Sequence, residues 1–268
     1  MRDLPLILFT NDDGIQSPGL WAAVEAFNDS AELLIVAPNE QQSASSRSMN
    51  WKYFGGIKSY TSPSNLKNCS AFSVKGTPAQ AVQLAVIKLA ERKPDLVISG
   101  INYGDNTGNV VTISGTVGAA IEAHSLGIPA IAVSQQTRNG LYSVSYDEVD
   151  FSIASYVTHY LSTQIIEQLK MPTAVDVLKI DVPIYATKET IWRFTRLSKH
   201  RIYWPSLSEH GDSSDKTRIE YTQQFDPAKT EPDSDVYAVL HDSVVAITPL
   251  NLDMTAKVDL STLEKKFR

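Results

Sequence analysis

The chain has 268 residues, with 24 Lys and Arg against 30 Asp and Glu, a formal charge of −6. That acidic balance excludes non-specific duplex binding through a broad basic face, and a composition of 43% apolar and 20% charged residues excludes disorder as the dominant state. Cys69 is the single cysteine, which excludes an internal disulfide and a thiolate zinc cage.

The apolar stretch near the N-terminus, Leu4–Phe9 with Pro5 inside it, is too short for a signal-peptide core. No run approaches the roughly 18 apolar residues of a membrane span. The expectation is a cytoplasmic protein with no membrane partner.

In chain order, Leu6–Thr10, Leu33–Ala37, Leu96–Ser99, Ile128–Ser134 and Val175–Val182 are near-continuously apolar. Runs of that kind suit strands covered on both faces, as in a parallel sheet. Helical stretches alternate with them. Leu20–Phe27 follows Ser17-Pro18-Gly19, where Ser17 suits a cap and Pro18 the first helical position. Ala79–Arg92 presents a wide apolar face, Thr116–Leu126 stops at Gly127, and Val149–Leu169 is a longer amphipathic stretch. This alternation predicts a doubly wound α/β core over residues 1–185, with a three-layer α/β/α architecture.

After residue 185 the pattern becomes β-rich. Ile191–Thr195, Ile202–Trp204, Arg218–Phe225, Val236–Leu240 and Val244–Thr248 read as short strands, Ser206–Thr217 as a loop or hairpin tip, and Leu260–Phe267 as a terminal helix. Residues 186–268 are therefore expected to form a C-terminal extension that packs back on the core and supports oligomerisation.

Four polar clusters stand at or near predicted strand ends. Asn11-Asp12-Asp13-Gly14 follows the first strand, and Ser43-Ala44-Ser45-Ser46 lies beyond the second. Gly100–Gly108 follows the Leu96–Ser99 strand, and Ser114-Gly115-Thr116-Val117-Gly118 opens the next helix. In open α/β sheets ligands bind beyond the carboxyl ends of the strands, so the four clusters converge on one rim. Adjacent Asp12 and Asp13 are costly to hold together without a counter-ion. Oxygen donors from Asp, Ser and Asn suit a hard cation such as Mg²⁺ or Mn²⁺, although Asn-Asp-Asp-Gly is equally good turn chemistry. The Gly115-Thr116 helix start offers backbone N–H groups to an anion, while Ser114 also serves as an ordinary N-cap. An anion site beside a metal site suggests a bridged phosphoryl group.

Other readings weaken. Neither a P-loop nor a dinucleotide-binding glycine fingerprint opens the first helix, and no Gly-x-Ser-x-Gly elbow occurs. The five histidines are scattered without ligand spacing, and Trp51-Lys52-Tyr53 reads as strand before base stack.

Taken together, Leu8-Phe9-Thr10-Asn11-Asp12-Asp13-Gly14-Ile15 with Pro18-Gly19-Leu20 resembles the opening signature of the SurE family, metal-dependent nucleoside monophosphate phosphatases. Val36-Ala37-Pro38 with Ser43, Gly76-Thr77-Pro78 and Pro94–Asn102 follow in the family's order. Gly104, Asn106, Gly108, Ser114–Ala120 and Ile247-Thr248-Pro249-Leu250 with Asp253 and Thr255 complete the likeness, which covers nearly the whole chain. It departs at Ala44, Asn50, Ile113 and Ala79-Gln80-Ala81, changes that bear on substrate preference more than on the chemistry.

The resemblance implies a Rossmann-like fold whose β-rich C-terminal part supports homodimers or homotetramers. It implies one divalent cation on Asp12, Asp13, Ser43 and Asn102, and phosphate near Asn102, Asn106, Ser114, Gly115 and Thr116. The expected activity is hydrolysis of nucleoside 5′-monophosphates, with 3′-monophosphates as further substrates. Asp12, Asp13 and Asn102 are the expected catalytic residues, with Asp12 orienting the nucleophile. Two rivals stand beside it: a non-catalytic sensor that binds nucleotide or phosphate with the same rim, and an enzyme of a different covalent type, an aspartate-nucleophile phosphatase of the haloacid dehalogenase kind. The latter needs two Asp separated by one residue, whereas Asp12 and Asp13 are adjacent.

Overall fold

Apolar runs that are buried on both faces form the inner strands of one central sheet. The structure, a computed structural model, describes residues 4–50, 56–137, 149–168, 171–207 and 219–268. The strands of the first half are β1 (Leu6–Thr10), β2 (Glu32–Pro38), β3 (Ile57–Ser59), β4 (Cys69–Val74) and β5 (Leu96–Tyr103). The sheet is completed by β6 (Ala130–Gln135), β7 (Val177–Val182), β8 (Trp192–Phe194) and β11 (Val245–Leu250). Strand order is β3-β4-β2-β1-β5-β6-β7-β11-β8. The six from β4 to β7 are mutually parallel, so the sheet reverses its winding between β1 and β5. A reversal of that kind opens a crevice at the carboxyl ends of the two strands.

Helices α1 (Pro18–Glu25) and α4 (Ser152–Gln168) cover one face, and α2 (Pro78–Leu84) and α3 (Gly115–Ser125) the other. Alternation along β1 sorts the core: Ile7 and Phe9 pack with Leu20, Val24 and Phe27, whereas Leu6 and Leu8 pack with Val82, Val117 and Ala120. Each large side chain so buried contributes about 1.5–3 kcal/mol. On the second face, Gly118, Ala119 and Ala120 are small enough to let α3 lie close to the sheet and to the loop above it.

Several expectations change in the structure. Val236–Leu240, read as a strand, is part of helix α5 (Asp235–Leu240), because the Ser234 hydroxyl accepts the Tyr237 N–H at 3.2 Å and starts a helix. A short apolar run carries no period of its own to decide between the two. The expected Ala79–Arg92 helix stops as α-helix at Leu84 and ends in a π turn over Ala85–Leu89, and Ile87 within it is 78% exposed. Ser17 makes no capping bond, and its hydroxyl is buried without a partner. Strands β3 and β4 were not foreseen; β4 adds to the far side of β2.

The tail divides between two sheets. β11 pairs antiparallel with β7 and β8 parallel with β11, so both extend the central sheet. Strands β9 (Tyr203–Leu207) and β10 (Ile219–Gln223) form a separate two-stranded ribbon, and α6 (Leu260–Phe267) is exposed along its length. Trp51-Lys52-Tyr53 and most of the Ser206–Thr217 segment lie outside the described residues. Among the described residues no helix is long and apolar enough to cross a membrane.

Candidate metal and phosphate site

The chain leaves β1 in a tight turn that aims two carboxylates at the crevice. The Asn11 side chain closes that turn, its Oδ1 accepting the Gly14 N–H at 3.1 Å and its Nδ2 donating to the Gly14 carbonyl at 3.0 Å. Asp12 and Asp13 are thereby held buried, 5% and 7% exposed. Thr116 Oγ1 donates to Asp12 Oδ1 at 2.5 Å, and the amides of Gly115 and Thr116 also face that carboxylate. The start of α3 thus encloses Asp12 directly. Gly115 permits the approach, since a Cβ there would lie 2.7 Å from Asp12 Cβ. Asp13 Oδ2 accepts the Tyr103 N–H at 2.9 Å, and Gln41 Nε2 donates to Asp13 Oδ1 at 3.4 Å.

Asn102 reaches the same place through an irregularity in β5. The β5–β6 register shifts between Ser99 and Asn102. Gly100 makes this possible at φ +130°, where a Cβ would meet the Val133 carbonyl oxygen at 2.2 Å. Asn102 Nδ2 donates to the Gly104 carbonyl at 2.6 Å, which fixes the amide and leaves Oδ1 for another partner. Asn106 is buried in the loop after β5, and its Nδ2 donates to Ser134 Oγ at 2.8 Å. Ser114 caps α3 by accepting the Val117 N–H at 3.1 Å.

Ser43 arrives on a loop that crosses the start of α3. Gln42 N–H donates to the Asp12 carbonyl at 2.6 Å, and Ser46 N–H to the Ile113 carbonyl at 2.9 Å. Farther on, Thr77 Oγ1 donates to the Ser48 carbonyl at 2.7 Å and Gln80 Nε2 to the Asn50 carbonyl at 3.0 Å. Thr77 and Gln80 also form the capping box of α2, so two local helix signals double as anchors for this loop. Arg47, on the same loop, is paired with Glu122 at 2.6 Å.

Asp12, Ser43, Asn102, Asn106 and Ser114 line one cleft together with Ala44, Tyr103, Val110 and Ile113. Asp13 stands beside it, behind Tyr103. Gly115 and Thr116 are at its back, turned to Asp12. None of the described histidines lines the cleft.

Burial pushes the Asp12 carboxyl above its ordinary range despite the bonds from Thr116. Burial, and then the charge of Asp12, pushes Asp13 up to about 8. Among the described residues no Lys or Arg side chain pairs with either group. Two buried carboxylates without a cationic partner are what a bound cation relieves. Among the described residues no group of three or more His, Cys, Asp or Glu side chains is placed to hold a metal ion. The donor set is therefore two carboxylates with neutral amide and hydroxyl oxygens, which fits a hard divalent ion that keeps some of its water.

Sequence reasoning missed the supports of the site. The helix-start pattern points to the Thr116 amide and gives no sign that its hydroxyl holds Asp12. It also missed a buried cluster of Lys179, Asp181 and Asp235 beneath the Asn106 loop. The signal was present: Lys179 and Asp181 interrupt an otherwise apolar strand at a spacing of two, which puts both on one face.

A family model for "Survival protein SurE" matches residues 7–203. A "5'-nucleotidase SurE" of Methanocella arvoryzae is 39% identical over 267 residues, covering 98% of this chain and 97% of the relative. One of Thermococcus gammatolerans is 37% identical over 262 residues, covering 96% and 94%. Among solved structures, the SurE protein of Aquifex aeolicus superposes with a TM-score of 0.78 at 28% identity, covering 98% of this chain and all of the other.

Proposed function

Because the chain belongs to the SurE family, we propose that it is a metal-dependent phosphomonoesterase acting on nucleoside 5′-monophosphates, and also on 3′-monophosphates. The observation that carries this reading is the pair of buried carboxylates, without a Lys or Arg partner among the described residues, at the edge of a cleft that also holds neutral oxygen donors.

In this reading Asp12, Asp13, Ser43 and Asn102 hold one divalent cation, Mg²⁺ or Mn²⁺. Once bound, the cation supplies Lewis-acid polarisation of the phosphoryl group. The chain's own residues do the rest. Asp12, fixed by the Thr116 hydroxyl, orients the attacking nucleophile. Asn106 donates one N–H of its amide to Ser134 and keeps the second for a phosphoryl oxygen, where charge grows as the bond breaks. Ser114, at the start of α3, lines the same cleft and favours an anion there. Val110 and Ile113 offer the leaving nucleoside an apolar wall.

The protein also works as a homodimer or homotetramer in this reading. Support comes from apolar side chains left at the surface of the C-terminal part, with Leu207 67%, Ile219 57% and Phe267 86% exposed.

The test is phosphate release from a panel of nucleoside monophosphates with Mg²⁺, Mn²⁺ or EDTA, for wild type, Asp12→Asn and Asp13→Ala. Release that needs a metal and is lost in both folded variants is the expected result. Full activity in folded Asp12→Asn overturns the role given to Asp12. Ligand-induced stabilisation of the wild type with no phosphate released under any metal identifies the sensor instead.

A further inference from the structure

Beneath the Asn106 loop lies a charged cluster cut off from solvent. Lys179 in β7 and Asp235 at the start of α5 are 0% exposed, as is Asp181. Lys179 Nζ pairs with Asp181 Oδ2 and, at 3.0 Å, with Asp235 Oδ2. The two carboxylates also grip the same loop. Asp181 Oδ1 accepts the backbone N–H of Asn106 at 2.7 Å, and Asp235 Oδ2 accepts that of Gly108 at 2.9 Å. Asp235 Oδ1 accepts the N–H of Ser198 at 2.9 Å, which ties in the segment after β8. Between the two grips, Asp105 accepts from Thr107 Oγ1 at 2.6 Å and from the Tyr203 hydroxyl at 3.3 Å.

A buried ion pair is a poor source of stability, because desolvation offsets much of the attraction. Carboxylate-to-amide bonds are short and directional, however, and two of them on alternate residues leave a short loop little freedom. Lys179 keeps the two carboxylates at a fixed separation.

We propose that Lys179, Asp181 and Asp235 form a positioning cluster that sets Asn106 against the phosphoryl group, so that part of the C-terminal segment is a support of the active site. None of the three lines the cleft. The inference rests on the phosphatase reading for its kinetic consequence, and on the loop geometry alone for its structural one.

The test uses the full chain with Asp181→Ala, Asp181→Asn and Asn106→Ala, singly and as the Asn106→Ala/Asp181→Ala double variant. Two quantities are read: kcat/KM at saturating Mg²⁺, and amide hydrogen exchange over residues 104–108. Asp181→Ala is expected to lose about 10- to 100-fold in kcat/KM, as loss of a supporting contact does, with unchanged apparent Mg²⁺ affinity and faster exchange at 104–108. Asp181→Asn, which keeps an acceptor, falls between it and the wild type. In the Asn106→Ala background the Asp181→Ala loss shrinks to a few-fold, because the residue being positioned is gone. An equal loss in both backgrounds overturns the proposal, as does wild-type exchange at 104–108 in Asp181→Ala. Should Asp181→Ala not fold, the exchange of Asp181→Asn decides, and an unchanged rate overturns it. A wild type without turnover overturns the phosphatase reading, and exchange alone then judges the cluster.

Discussion

Gly118 lies in the first turn of α3, outside the cleft, and its replacement by alanine separates stability from activity. A Cβ at this position would stand 2.3 Å from the Ser46 carbonyl oxygen, 2.4 Å from Ser46 C and 2.6 Å from Arg47 N. Ordinary contact begins near 3.4 Å, so the loop backbone has to withdraw by about 1 Å, there being no flexible side chain to give way. Alanine is intrinsically better than glycine in a helix by about 1 kcal/mol, and overpacking costs roughly 1–3 kcal/mol. The net change is therefore about 0–2 kcal/mol, a fall in Tm of a few degrees for a domain of this size. Catalysis fares worse, because the displaced loop carries Ser43 and the Gln42 bond to the Asp12 carbonyl. A misplacement of about 1 Å costs on the order of 100-fold in rate. Thermal unfolding and kcat/KM across an Mg²⁺ titration are measured for Gly118→Ala beside Gly56→Ala, where a Cβ meets nothing within 4 Å. A Gly118→Ala protein with wild-type kcat/KM and wild-type Mg²⁺ dependence would refute the coupling of this loop to the site.

The remaining expectations concern the groups around the two carboxylates. Thr116→Val removes the hydroxyl that donates to Asp12 at 2.5 Å while keeping the side chain's shape; kcat/KM falls about 10- to 100-fold, with Tm nearly unchanged. Arg47→Ala leaves the buried Glu122 carboxylate with Gln83 as its one side-chain partner among the described residues, and stability falls by about 1–3 kcal/mol in a urea titration, whereas Glu122→Gln falls by less. In EDTA, Asp13 at about 8 and Asp181 at about 6 hold their protons more tightly in the folded chain than in the unfolded one. Their contribution to stability is therefore greatest below about pH 4 and is lost as pH rises toward 8; Tm measured against pH in EDTA declines over that window and declines less with Mg²⁺ present. Binding of Mg²⁺ at pH 7 releases a proton held by the carboxylate pair, seen in calorimetry as a heat that changes with the buffer's ionisation enthalpy. A buffer-independent heat removes Asp13 from the ligand set.

Local pattern was enough to determine the parallel core and the placing of the polar clusters on one rim. Apolar runs of strand length, such as Leu6–Thr10 and Leu96–Ser99, exist because those strands are covered on both faces, and a ligand crevice follows from the winding that such strands adopt. Ser114 was readable as a cap for a similar reason: its partner is three residues away. Val236–Leu240 was not readable, since five apolar residues satisfy a strand and a helix alike until Ser234 is seen to cap them and the packing of Val236 and Val239 decides. Nor was the end of α2 readable, because Val86-Ile87-Lys88-Leu89 extends the apolar run past Leu84 with no local stop, yet the helix closes there in a π turn over Ala85–Leu89. The supports of the site depended on tertiary structure altogether. Thr116 meets Asp12 across 104 positions, and Gly108 meets Asp235 across 127. No sequence period links residues so far apart; they meet because α3 packs on the sheet beside β1, and because β11 brings α5 back against β7. The residues that carry the chemistry lie close to strand ends and can be found one motif at a time, whereas the residues that hold them in place are chosen by the packing of distant elements.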